Sequence, residues 1–277
     1  MRGRRSSTVS APLPDNLAEA IFTIVSGEGG RLSFDTLGRR LKLKGTAARR
    51  LPQFAQEALG GDPRIDWQGD ELQIRPRRPL PVKLRLVDLP VVVFDFETSG
   101  SVAGKDRAIE LGMVAVERGK IAQEWESLFN PEGAPVQRYV LKMTGITLPA
   151  LRSAPSFIDL SQEIAEFCGD DVLIAHNLMF DKRFLDAEMI MATGSAPPNP
   201  AMCSFQIAKR LLPNVHARGV EGLCGYFGLS TGKRHRALDD TRATAQIWLK
   251  LLEVASDHGV ETFGDLWEMM GKAGVDP

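Results

Sequence analysis

The run Val91-Val92-Val93-Phe94-Asp95-Phe96-Glu97-Thr98-Ser99-Gly100 constrains this chain more than any other stretch. Four apolar residues lead straight into two carboxylates, and Thr-Ser-Gly closes the run. A short apolar stretch bounded by turn residues predicts a buried strand. Side chains at i and i+2 share a face of a strand, so Asp95 and Glu97 point one way and Phe96 the other. Two like charges side by side inside a sheet are unfavourable unless a cation neutralises them. The seven residues on either side of the pair contain no Lys or Arg. A divalent metal is the economical neutraliser, and an all-oxygen donor set favours Mg2+ or Mn2+. The plainer alternative is a strand end whose two acids face solvent, and Asp-x-Glu alone does not separate the two.

A length of 277 residues allows one to three domains, and charge divides the chain in two. Residues 1–90 carry 16 Lys/Arg against 10 Asp/Glu, about +6, and the remainder is about −7. Residues 1–14 are basic and rich in Ser and Pro, which predicts a disordered tail. Asp15 or Asn16 can cap a helix to about Ser26, and Ser33 a second through Leu41. A third is predicted from Thr46 to Leu59, with Pro52 kinking it or marking its start. Arg64–Trp67 and Glu71–Arg75 around Gln68-Gly69-Asp70 read as a hairpin. Three helices and a hairpin over 15–76 are the layout of a small winged helix-turn-helix domain. Lys42, Lys44, Arg49 and Arg50 lie at or before its third helix, the one that reads nucleic acid in that layout. Winged helices also dock proteins, and the sequence leaves both roles open. Pro76, Pro79, Pro81 and Pro90 predict a semi-rigid linker over 77–90.

Downstream, Ala108–Val116 and Lys120–Phe129 around Glu117-Arg-Gly119 extend the first strand into an antiparallel meander. A helix over 156–168, a strand Asp171–Ala175 and a helix capped by Asn177 and running to Met191 follow. Met202-Cys203 reads as an edge strand. Helices are expected over Phe205–Leu212, Val220–Phe227, Asp239–Asp257 and Phe263–Met270. Three antiparallel strands followed by alternating strand and helix make a mixed α/β sheet flanked by helices over 91–277. Cys168, Cys203 and Cys224 are odd in number with no Cys-x-x-Cys, as in a reducing compartment. There is no apolar run of membrane-spanning length and no signal-peptide apolar segment after the basic N-terminus. The expectation is a cytoplasmic protein with no membrane association.

Two further segments place acids or imidazoles where elements meet. His176-Asn177-Leu-Met-Phe180-Asp181 takes a strand into a helix, with Asp181 in the first turn, where the helix dipole favours an anion. His235-Arg-Ala-Leu-Asp239-Asp240 opens the long helix, with Asp239 as its expected cap. Taken singly, each Asp reads as an ordinary helix-start residue. Taken in order, Asp-x-Glu, His-Asn-x-x-Phe-Asp and His-x-Ala-x-x-Asp resemble the DnaQ-like family of 3′–5′ exonucleases, in its DEDDh subgroup of four acids and a histidine. This family includes the proofreading epsilon subunit of bacterial DNA polymerase III. The resemblance covers about residues 88–255 and extends to Ile109-Glu-Leu-Gly112, Met143-Thr-Gly-Ile146 and Leu223–Leu229.

The resemblance implies a ribonuclease-H-like sheet of five strands and two-metal hydrolysis of phosphodiesters. By it, Asp95 bridges two divalent ions, Mg2+ or Mn2+. Glu97 and Asp240 help to hold the ion that carries the attacking water, and Asp181 serves the other. His235 is the general base. Thr98 and Ser99 hold the terminal sugar, Asn177 orients Asp181 or water, and His176 is structural. The substrate implied is a single-stranded or frayed DNA 3′ end, in proofreading or repair. An RNA-trimming enzyme of the same superfamily and a non-catalytic winged-helix regulator that binds nucleic acid are the competing readings. A polymerase partnership belongs to the family's proofreading members, but no clamp-binding peptide stands out in residues 253–277.

Overall fold

Ile21, Val25, Leu37, Leu51, Ala55 and Leu72 recur at helix and strand spacing and form the fully buried centre of a first unit that ends at Pro76. The computed structural model describes residues 17–28, 31–59, 65–74, 81–271 and 275–276. In the first unit α1 (Leu17–Gly27) leads to β1 (Arg31–Ser33), α2 (Phe34–Arg40), α3 (Thr46–Arg49), α4 (Leu51–Leu59), β2 (Ile65–Gln68) and β3 (Glu71–Ile74). Ser33 caps α2 as expected, accepting the Thr36 amide at 3.3 Å. The helix expected over 46–59 is instead two. Arg50 terminates α3, and Pro52 sits in the first turn of α4, where its missing N–H leaves no bond unmade. The expected hairpin β2–β3 forms, with Trp67 opposite Leu72, and β1 joins it on the far side of β3. The tail 1–14 and the proposed caps Asp15 and Asn16 lie outside the described residues.

The linker expected over 77–90 is shortened by packing, because Leu84, Leu86 and Leu89 join a hydrophobic core. Leu86 and Leu89 are buried in the second unit. Leu86 N donates to Glu261 O at 2.7 Å, and Phe263 N to Leu84 O at 2.9 Å. Residues 81–90 therefore belong to the second unit.

That unit is built on β4 (Val91–Thr98), β5 (Ala108–Glu117) and β6 (Lys120–Leu128), an antiparallel meander. Arg118 and Gly119, both at positive φ, make its second turn. After α5 (Arg138–Thr144), α6 (Leu148–Ser153) and α7 (Phe157–Cys168), β7 (Val172–Ala175) returns parallel to β4. Then come α8 (Leu178–Thr193), β8 (Ala201–Cys203), α9 (Ser204–Leu211), α10 (Val220–Phe227), α11 (Ala237–Asp257), α12 (Phe263–Met270) and β9 (Val275–Asp276). The sheet order is β6-β5-β4-β7-β8-β9. Five strands are those expected, and β9, two residues long, covers β8, so Met202-Cys203 is not an edge.

The two faces of β4 meet different layers. Val91 and Val93 pack with α9 to α12, and Val92, Phe94 and Phe96 with α7 and α8. Burial on both sides explains the unbroken apolar run. It also directs Asp95 and Glu97, in phase with Val91 and Val93, towards α11. Among the described residues, no helix is long and apolar enough to cross a membrane.

Candidate active site

Parallel pairing of β4 with β7 stops at Val93–Ile174, whereas β4 continues to Thr98. Beyond that point the β7 side of β4 is open, a crevice at the carboxyl ends of the parallel strands where α/β folds place ligands. Helix α8 starts there. Its Asp181, only 3% exposed, accepts the Phe96 N–H at 3.1 Å, taking the place of the missing strand partner. Burial pushes the Asp181 carboxyl up to about 7 despite that bond.

Asp95 and Glu97 face the same crevice. Glu97 is pushed up to about 8, first by burial and then by the charges of Asp240, Glu110 and Asp181. Asp95 keeps a partly exposed edge. Burial, followed by Asp181, Glu97 and Asp240, holds its carboxyl well above the usual carboxylate range.

The fourth acid arrives on α11. Gly112 lies directly across from Asp95 on β5, and a Cβ there would stand 2.4 Å from the Leu238 nitrogen. The bare glycine lets the first turn of α11 rest on the sheet backbone. Thr241 Oγ1 fastens it, donating within reach of Gly112 O (3.1 Å) and Ala237 O (2.6 Å). Asp240 is thereby buried, with its carboxyl raised by burial and partly offset by Arg234 and the His235 amide. Its Oδ2 accepts His235 N at 2.9 Å, and its Oδ1 accepts the Arg234 guanidinium. His235 is half-buried at φ 60°. Glu97, His235 and Asp240 each offer a donor atom, all within 4.8 Å of one another. Oxygen donors in surplus of positive charge suit a hard divalent cation.

Other expected residues are placed differently. Ser99 is fully buried; its hydroxyl accepts the Arg107 amide at 2.9 Å and its own amide donates to Arg107 O, so it braces the β4–β5 loop. Thr98 Oγ1 donates to Gly100 O at 2.5 Å. Asn177 is exposed at φ 73° and makes no side-chain cap; Asn tolerates the left-handed turn that leads from β7 into α8. Asp239 is not the cap of α11, which begins after Arg236. His176 Nδ1 meets Ser204 Oγ at 2.9 Å, and burial pushes its pKa down to about 4. Lys42, Lys44, Arg49 and Arg50 are exposed on the first unit, with Arg50 stacked 4.8 Å over Phe54.

Sequence reasoning missed Arg234, Glu110 and Arg236. Glu110 accepts from both Arg236 and the Ala237 amide. The signal for Glu110 was an acid inside the otherwise apolar strand Ala108–Val116.

Comparison with known proteins agrees with this geometry. The family described as Exonuclease matches residues 92–248. The chain is 32% identical over 177 residues to DNA polymerase III subunit epsilon of Aquifex aeolicus, covering 63% of this chain and 87% of that one. It is 36% identical over 183 residues to the PolC-type DNA polymerase III of Bacillus subtilis, covering 66% of this chain but only 13% of that much longer relative. Among solved structures, Exonuclease X in complex with 5′-overhanging duplex DNA superposes with a TM-score of 0.53 at 24% identity, over 65% of this chain and 99% of that one. The ribonuclease-H-like sheet is thus shared with exonucleases of known structure, and the chain belongs to the exonuclease family.

Proposed function

We propose that this chain removes nucleotides from the 3′ ends of DNA by metal-dependent hydrolysis, in proofreading or repair. The observation that carries the proposal is the convergence of Asp95, Glu97, Asp181 and Asp240 from three distant segments on one crevice, with His235 beside them. Two divalent ions, Mg2+ or Mn2+, would activate water and stabilise charge on the attacking and leaving oxygens. Asp95, which feels the other three acids, would be shared between the ions. Glu97 and Asp240 would hold one of them and Asp181 the other. His235, beside Glu97 and Asp240, would take the proton of the attacking water. The backbone of Thr98, whose hydroxyl is held by Gly100 O, would meet the terminal nucleotide at the end of β4. Relatives named as polymerase III subunits accord with a DNA substrate and a cytoplasmic location.

The test is digestion of 5′-labelled single-stranded DNA and RNA of the same sequence, with Mg2+ or Mn2+ and with EDTA. Stepwise shortening of the DNA from its 3′ end, abolished by EDTA, is expected. Release from the 5′ end, or equal activity in EDTA, defeats the proposal. Faster shortening of the RNA defeats its substrate half.

We propose further that the first unit is a winged helix that holds nucleic acid. The order α1-β1-α2-α3-α4-β2-β3 and the sheet β1-β3-β2 support this. Helix α4 is the one that would read bases in that layout, yet its exposed described residues Pro52, Gln53, Gln56 and Glu57 carry no cation. The basic turn of Lys42, Lys44, Arg49 and Arg50 would therefore grip phosphates and would not read bases. Replacing these four by Gln should weaken DNA binding equally across sequences and flatten its salt dependence. Unchanged affinity contradicts this role.

A further inference from the structure

Glu110 is a fifth carboxylate beside the crevice, 1% exposed and directly opposite Glu97 on β5. Both of its oxygens are engaged by nitrogen donors from Arg236 and Ala237. Its Oε1 accepts Arg236 Nε at 2.9 Å and Nη2 at 2.7 Å, and its Oε2 accepts the Ala237 N–H at 3.0 Å. Helix α11 has no capping side chain of its own at Arg236. The sheet supplies one, because Glu110 satisfies the first free amide of the helix.

The bonds around it close a circuit. Asp240 N donates to Arg236 O at 3.0 Å, and Asp240 Oδ2 accepts His235 N at 2.9 Å. His235 itself sits at φ 60°, an uncommon conformation for a non-glycine residue. Glu110 anchors the residue that follows His235 and the first residue of the helix that carries Asp240. The chain direction at the imidazole is thus set from β5, through two guanidinium N–H groups that converge on Glu110 Oε1 while Oε2 holds the Ala237 N–H.

We propose that Glu110, acting through Arg236 and Ala237, is a positioning residue that holds the His235 imidazole on the crevice. The proposal rests on the reading of His235 as general base. It assigns no ligand role to Glu110, whose oxygens already serve three N–H groups.

The test uses the full-length protein with Glu110→Gln and Arg236→Gln, each made alone and with His235→Ala. The carboxamide introduced by Glu110→Gln has a single acceptor oxygen and cannot serve both Arg236 and the Ala237 amide. Arg236 is one-third exposed, so its substitution removes the clamp from the solvent side and is available if Glu110→Gln does not fold. Either variant should lower kcat at saturating metal at least about tenfold, with KM for the oligonucleotide within about twofold. In the His235→Ala background the same change should cost less than about twofold, because its effect runs through the absent ring. In the metal-free protein the His235 ring resonance should move, while those of His216 and His258 stay. An equal loss in both backgrounds, an unshifted His235 resonance or an unchanged kcat overturns the proposal. A wild-type enzyme that His235→Ala does not slow overturns the general-base reading instead.

Discussion

Gly112 and Asp95 face each other across β4 and β5, and the backbone of α11 at Leu238 occupies the space a side chain at position 112 would need. This contact brings Asp240, in the first turn of the helix, to the acids of β4. Gly112→Ala should lift that turn of α11, because its Cβ meets backbone and not a flexible side-chain end. We expect a loss of stability of about 1–3 kcal/mol by denaturant unfolding, and at least a tenfold loss of nuclease rate. Full activity in Gly112→Ala would show that the close approach is incidental.

The acids are held together against their own repulsion, which makes their removal informative. Asp95→Asn should abolish nuclease activity and yet raise the Tm of the metal-free protein by about 2–4 °C, the shift expected of roughly 1 kcal/mol. The stabilisation follows from the burial and three neighbouring carboxylates that disfavour the charged form. A lower Tm would mean that Asp95 makes favourable contacts in the free protein.

The pH dependence has a definite sign. The folded protein holds protons on Glu97 up to about 8 and on Asp181 up to about 7, whereas the unfolded chain releases them near 4. Their contribution to stability is therefore complete below about pH 4 and is lost as pH rises through 7 to 8. Thermal melts in EDTA from pH 5 to 9 should show Tm falling from this source. Saturating Mg2+, which binds the charged carboxylates, should flatten the fall. A metal-free Tm that rises over this range would contradict the placement of these acids.

Arg234 supplies positive charge to the cluster, bonding Asp240 and, through Nε, Glu221 on α10 at 3.1 Å. A divalent ion must share Asp240 with it. Arg234→Gln should tighten Mg2+ binding, measured by calorimetry without substrate, by about two- to fivefold. Weaker binding would mean that Arg234 helps to shape the metal site and does not compete for it.

How much of this was legible in the sequence depends on how local each cause is. The strand Val91–Thr98 and the shared face of Asp95 and Glu97 follow from a period of two within eight residues, and the structure repeats them. Asp181 and Asp240 were placed correctly in first turns because helix starts carry local signals. Glu110 was not legible as a cap, since its partners lie 126 and 127 residues away. The same distance hid the true start of α11 and made Asp239 look like its cap. Leu84, Leu86 and Leu89 were read as linker because prolines dominate that stretch, and only the fold shows which core they enter. Helices α5 and α6 escaped notice because each spans seven residues or fewer, with Gly145 at φ 72° between them. The burial of Ser99 was hidden as well, since it depends on the pairing with Arg107 eight residues on.

The central claim is that four carboxylates from three segments grip a shared pair of ions. Anomalous diffraction from a Mn2+-soaked crystal tests it most directly. Two peaks about 4 Å apart are expected in the crevice, with oxygens of Asp95, Glu97, Asp181 and Asp240 around them. Peaks elsewhere, or a crevice that stays empty at saturating Mn2+, would contradict it.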